Sequence, residues 1–107
     1  MNVVEENLDR IRALCDKYNV AKLFVFGSIL TDEFEESSDI DFIVDFSSID
    51  LYDYADNYFN LKASLEELLG REVDLLEDKA IKNPYLRASI DASKKLIYGS
   101  RNQNVAL

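Results

Sequence analysis

Asp39-Ile40-Asp41-Phe42-Ile43-Val44-Asp45-Phe46 changes side-chain character at nearly every step. Ile40, Phe42, Val44 and Phe46 fall on one side of an extended chain; Asp39, Asp41, Ile43 and Asp45 fall on the other. The period of two predicts a β-strand over 39–46 with one apolar face and one largely acidic face. Upstream, Leu23–Phe26 (LFVF) is a run of β-formers ended by Gly27, which predicts a buried strand, with Gly27 and Ser28 making the turn that follows. The acidic stretch ILTDEFEESS between that turn and Asp39 predicts a short helical turn and then a loop. Before the first strand, Leu8, Ile11, Cys15 and Tyr18 recur at three- and four-residue steps, predicting a surface helix over 4–18 with Cys15 as a small core residue.

Downstream, the loop SSID leads into a helix predicted from Tyr52 to Leu69, with Ala55, Tyr58, Phe59, Leu65, Leu68 and Leu69 as its apolar stripe and Gly70 as its stop. A short strand is predicted over Glu72–Leu76. Asn83-Pro84 reads as an N-cap followed by proline at the first helical position, opening a helix through Leu86, Ile90 and Ile97 that Gly99 ends. The expected fold class is α/β, a small mixed β-sheet flanked by helices. The helix between the second and third strands predicts that those two lie parallel, and the short turn allows the first to run antiparallel to the second. Residues 1–99 are read as one domain and 100–107 as a frayed tail.

Composition narrows the function. Hydrophobic residues are 48% and charged residues 31% of 107, the mixture of a globular domain rather than a disordered chain. The longest uncharged apolar stretch, Leu23–Leu30, is far short of the roughly 20 residues that span a bilayer. Glu5, Glu6 and Asp9 occupy the place where a signal peptide carries positive charge, so the expected location is cytoplasmic, away from membranes. The net charge of −9 is uneven: residues 1–60 hold 4 Lys/Arg against 14 Asp/Glu (−10), and 61–107 hold 8 against 7 (+1). An acidic half repels phosphate backbones, which makes direct nucleic-acid binding a poor expectation. With no histidine and one cysteine, a zinc site of nitrogen and sulfur ligands is excluded, and any metal is expected to be held by oxygen.

Asp39 and Asp41, two apart on a strand, leave the same face with Cα atoms about 6.5–7 Å apart. A bare Asp-x-Asp is more often a solvated strand face; the Gly-Ser turn closing the preceding strand makes the difference here. Gly27 lets backbone approach a ligand closely and Ser28 adds a hydroxyl donor, beside carboxylates suited to Mg²⁺. Two such ions about 3.5–4 Å apart clamp an in-line phosphoryl displacement. Asp74, in the strand after the long helix, would stand about 4.8 Å away on a parallel neighbour, able to bind one metal and take a proton from an attacking hydroxyl. Tyr52, Tyr54, Tyr58 and Tyr85 are either a partner surface or half-buried in their own domain.

Gly27-Ser28, ten residues, then Asp39-Ile40-Asp41 resembles the signature of the nucleotidyltransferase superfamily that includes DNA polymerase beta. The length, the strand EVDLLE and the segments NPYLRASI and KKLIYG resemble its minimal nucleotidyltransferase (MNT) branch, over about residues 4–99. The resemblance implies a polymerase-beta-like core in which Gly27 and Ser28 hold nucleotide phosphates, Asp39 and Asp41 coordinate Mg²⁺ and Asp74 is the third carboxylate. It also implies an antitoxin that transfers AMP from ATP to a tyrosine hydroxyl of a HEPN-domain ribonuclease toxin, with which it would form a hetero-oligomer. Many relatives carry a basic residue soon after Gly-Ser; here Ile29, Leu30 and the acidic stretch Asp32–Glu36 follow, so a cation would have to reach in from the C-terminal half, with Lys79, Lys82 and Arg87 as candidates that the sequence does not choose between. The alternatives are an antitoxin that masks its toxin without catalysis, and a small-molecule nucleotidyltransferase of the aminoglycoside-modifying type.

Overall fold

The computed structural model describes residues 2–32, 34, 35 and 38–99. Two helices, α1 (Val3–Glu6) and α2 (Leu8–Lys17), precede strand β1 (Val20–Phe26), a 3₁₀ turn (Gly27–Leu30) and strand β2 (Ile40–Phe46). The long helix α3 (Leu51–Leu69) leads to β3 (Val73–Glu77), a second 3₁₀ turn (Asp78–Ala80), helix α4 (Pro84–Ser93) and strand β4 (Lys95–Tyr98). The predicted tail over 100–107 lies outside the described residues.

The strands form one mixed sheet in the order β3-β2-β1-β4. As the sequence predicted, β3 runs parallel to β2; β1, whose direction the sequence left open, runs antiparallel to β2. Alternation along β2 sorts the two faces. Phe42 and Val44 pair with Val25 and Leu23, and all four are buried in the main core cluster with Leu61 and Leu65 of α3 and Ile11 and Cys15 of α2. Asp41, Ile43 and Asp45 take the other face, opposite Phe26, Phe24 and Lys22. Ile43 is also fully buried, yet it stands outside that cluster, as does Ile90 of α4.

Caps explain the helix limits. The Asp50 carboxylate accepts from the Tyr52 backbone N–H, and Gly70 at φ +69 closes α3 in the left-handed conformation. Asn83 accepts from the backbone N–H groups of Tyr85 and Leu86, with Pro84 at the start of α4, as predicted. The N-terminal helix expected over 4–18 is instead two pieces, because Asn7 turns its side-chain amide onto the Val3 carbonyl at 2.8 Å and leaves helical geometry.

Two further expectations are corrected. In α3 the buried stripe is Leu61, Leu65 and Leu69, with Tyr54 and Tyr58 partly buried; Phe59, assigned to that stripe from sequence, is 62% exposed. The last helix does not continue through Ile97 to Gly99. It stops at Ser93, and Lys95–Tyr98 pair with β1, putting Ile97 into the core as part of a strand. Ile97 stands seven residues after Ile90, a helical spacing, and no glycine or proline marks the stop. Gly99, at φ +117, is where the chain passes β1 so closely that a Cβ would collide with the Ala21 carbonyl.

Candidate active site

Asp41 occupies the inner strand β2 between two partners, Phe26 on β1 and Asp74 on β3. The next residue after Phe26 is Gly27, at φ +82, and a Cβ built there would run into Asp41 Oδ2. The carboxylate therefore lies against the backbone of the Gly27–Leu30 turn, an approach only glycine permits. That turn is tied by the Thr31 N–H and hydroxyl, both donating to the Ser28 carbonyl. On the other side, the Ile40 N–H donates to the Glu72 carbonyl at 3.1 Å, which opens the β2–β3 ladder and sets Asp41 opposite Asp74. Asp39 stands just before that ladder, two residues from Asp41.

Burial first, then the charges of Asp74 and Asp39, hold the Asp41 carboxyl above its ordinary range. All three predicted acids thus share one end of one sheet face within electrostatic reach. They do not close on a single point: among the described residues no three carboxylates are gathered into a ready metal cage. Like charges keep apart until a cation offsets them.

The donor set limits which cation these residues could hold. The chain has no histidine, and Cys15 is fully buried in the core with its thiol pushed up to about 12 by burial and by Asp16. What remains on the sheet face is carboxylate oxygen, with Asp41 against the Gly27 backbone, and such a donor set fits a hard, oxygen-seeking divalent ion such as Mg²⁺. The cations expected from sequence stand elsewhere. Arg87 donates to the Asp78 carboxylate at 2.8 Å and to the Asp78 carbonyl at 2.7 Å, just past the C-terminal end of β3. Lys79 and Lys82 follow the same end, whereas Asp74 is near the start of that strand, about 13 Å away by strand rise. Arg71, which gave no sequence signal, donates to the Glu35 carbonyl at 3.2 Å and lies 4.8 Å from the Phe34 ring centre, close to the start of β2 in space.

Residues 9–103 match the family model described as polymerase beta, nucleotidyltransferase. The chain belongs to that family. A relative from Methanocaldococcus jannaschii, provisionally named protein adenylyltransferase MJ0128, is 40% identical over 102 residues, covering 92% of this chain and 99% of its own length. A solved structure, provisionally described as a minimal nucleotidyltransferase, is 27% identical with a TM-score of 0.73, covering 89% of this chain and 95% of that one. A chain from the complex of tri-AMPylated Shewanella oneidensis HEPN toxin with MNT antitoxin has a TM-score of 0.64 at 19% identity, covering 95% of this chain and 77% of its own; at that identity the likeness is one of fold. The mixed sheet and its helices are therefore a polymerase-beta-like nucleotidyltransferase core. Within it, the paired Asp41 and Asp74 and the Gly27 turn lie together at one end of the sheet.

Proposed function

We propose that this nucleotidyltransferase is a Mg²⁺-dependent protein adenylyltransferase acting as an antitoxin, which moves AMP from ATP to a tyrosine hydroxyl of a HEPN-family ribonuclease toxin. The observation that carries this reading is the register setting Asp41 against Asp74 beside the Gly27 turn, in a chain 40% identical to a relative provisionally named a protein adenylyltransferase. The antitoxin role is supported by the fold shared with the MNT antitoxin of the AMPylated-toxin complex. Asp39, Asp41 and Asp74 would hold the metal, two ions in the full site, and Mg²⁺ bound there supplies neutralisation of phosphoryl oxygen charge.

The chain's own groups do the rest. Gly27 and Ser28 hold the triphosphate through backbone approach and a hydroxyl, and so orient the α-phosphorus toward the acceptor. Asp74, on β3 at the flank of the row, accepts the proton of the attacking phenol. The new bond joins the phenolic oxygen to the α-phosphorus, the bond from that phosphorus to the bridging oxygen breaks, and pyrophosphate leaves with the electron pair.

The experiment incubates the protein with labelled ATP, Mg²⁺ and the toxin-like protein encoded beside it. Label is expected on a tyrosine, and Asp39→Asn with Asp41→Asn is expected to reduce transfer at least about a hundredfold, metal-borne charge stabilisation being worth several kcal/mol. Transfer that survives both substitutions rules out the assigned roles. A second reading is favoured by one observation, the charge of −10 over residues 1–60. An acidic half suits masking of a basic ribonuclease surface by complex formation alone, and then the double Asn variant neutralises the toxin without nucleotide.

A further inference from the structure

We propose that the outward face of α3 is a docking surface for a basic, apolar helix of a partner protein. The inference rests on the adenylyltransferase reading, which requires a protein acceptor, and names the surface that reading leaves open.

Leu61, Leu65 and Leu69 turn one side of α3 into the core. A second apolar stripe runs along the helix away from them. Tyr52, Ala55, Phe59 and Ala63 recur at three- and four-residue steps, the spacing of one helix face, and all four are exposed. Leu51, four residues before Ala55, is 88% exposed, Tyr52 94% and Phe59 62%. Single apolar residues on a surface are ordinary, but a line of them along one helix marks an interaction site. The alanines between the two rings leave hollows into which side chains of a crossing helix pack. Glu66, seven residues after Phe59 and on the same line of the helix, accepts the Val73 N–H at 3.1 Å. Tyr58 donates its hydroxyl to the Leu75 carbonyl. The stripe therefore borders β3, the edge strand, and these two bonds take up backbone groups of that edge, which disfavours an added strand and leaves side-chain packing as the mode of contact.

Charge selects the occupant. Asp53, Asp56 and Glu67 stand exposed along the solvent flank of the stripe, and the one base in α3, Lys62, falls on the opposite flank. No lysine or arginine occurs from Leu23 to Leu61. A second copy of this chain would bring acid against acid, at a net charge of −9 on each. A helix with lysine or arginine beside its own apolar stripe meets these acids with the opposite sign. α3 also runs back along the sheet from the end of β2 to the start of β3, so a partner laid along it has one end beside the strand that carries Asp74.

The test titrates the full chain, by calorimetry and without nucleotide, with the toxin-like protein encoded beside it. Phe59→Ser and Tyr52→Ser are each expected to weaken binding about tenfold or more, the loss typical of an aromatic anchor at an interface. Melting midpoints of the free variants are expected within about 3 °C of the parent, because both rings are exposed. The parent's affinity is expected to fall with added salt, and less steeply in Asp53→Asn with Asp56→Asn. Binding that neither aromatic substitution weakens, or that salt leaves unchanged, overturns the docking surface; if label from ATP still passes to that protein, the adenylyltransferase reading stands without it. A free chain that sediments as a dimer and becomes a monomer in Phe59→Ser puts a second copy on the stripe and overturns the proposal as well. Binding lost in both aromatic variants, with no label transferred by the parent, keeps the surface and overturns the adenylyltransferase reading. A parent that does not bind the neighbouring protein overturns both.

Discussion

Asp41 is placed against its own stability. It is partly desolvated on an inner strand, crossed by Asp74 and followed from behind by Asp39, and each of these raises its pKa above the ordinary carboxylate value of 3.8. A folded-state pKa raised above the unfolded one means that the native state holds the proton more tightly. The group's favourable contribution is therefore present below the unfolded value and is lost as pH rises through the folded value. Asp41→Asn, which keeps shape and removes charge, is expected to raise the melting midpoint at pH 7 and to leave it nearly unchanged at pH 3. Thermal melts of the two proteins across that range check it, and a variant that is destabilised at pH 7 contradicts the like-charge account. Gly27 was legible as a turn residue. That it also makes room for the Asp41 carboxylate was not, because the contact joins positions 14 residues apart in sequence.

At the level of elements, α3 shows how much a stripe read by eye differs from the face that packs. Leu61, Leu65 and Leu69 repeat at four residues and are buried, whereas Phe59 projects to solvent against the edge of the Tyr58 ring. Leu61→Ala is expected to cost about 2–5 kcal/mol, the range for emptying a packed core position, and Phe59→Ser to stay within about 0.5 kcal/mol. Urea unfolding of the two variants measures both, and similar losses would show that the Phe59 ring carries packing that its exposure hides. Tyr54 and Tyr58, weighed from sequence as partner surface or self-buried, take the second role: their hydroxyls donate to Glu77 and to the Leu75 carbonyl. Tyr52 and Tyr85 remain almost fully exposed. The element that sequence missed is β4. Its residues are ordinary β-formers, but Ile97 keeps helical spacing with Ile90, and local pattern had no means of weighing that against the pairing offered by the open edge of β1.

The whole molecule carries a net charge of −9, concentrated in the half that also holds Asp39 and Asp41. A ligand that binds only the folded state stabilises it by mass action, by about 2.7 kcal/mol at a hundred times its dissociation constant. Mg²⁺ with ATP is accordingly expected to raise the melting midpoint by several degrees, a shift abolished in the Asp39→Asn, Asp41→Asn variant. Scanning calorimetry at millimolar ligand reads this directly, and equal shifts in parent and variant would place the binding somewhere other than the aspartates. No helix among the described residues is long and apolar enough to cross a membrane.

Reading the chain alone was enough for the α/β class, the strand at 39–46, the caps at Asn83 and Gly70, and the candidate acids, because each of these is written in neighbouring residues through a period, a cap or a spacing. The pairing of Asp41 with Asp74, the collision that keeps Gly27 a glycine, the position of Arg87 at the wrong end of β3 and the arrival of Lys94 over Phe24 are all contacts between segments far apart in sequence. Such contacts follow from strand order and register, and those are set by how the chain buries its apolar faces together rather than by any local stretch.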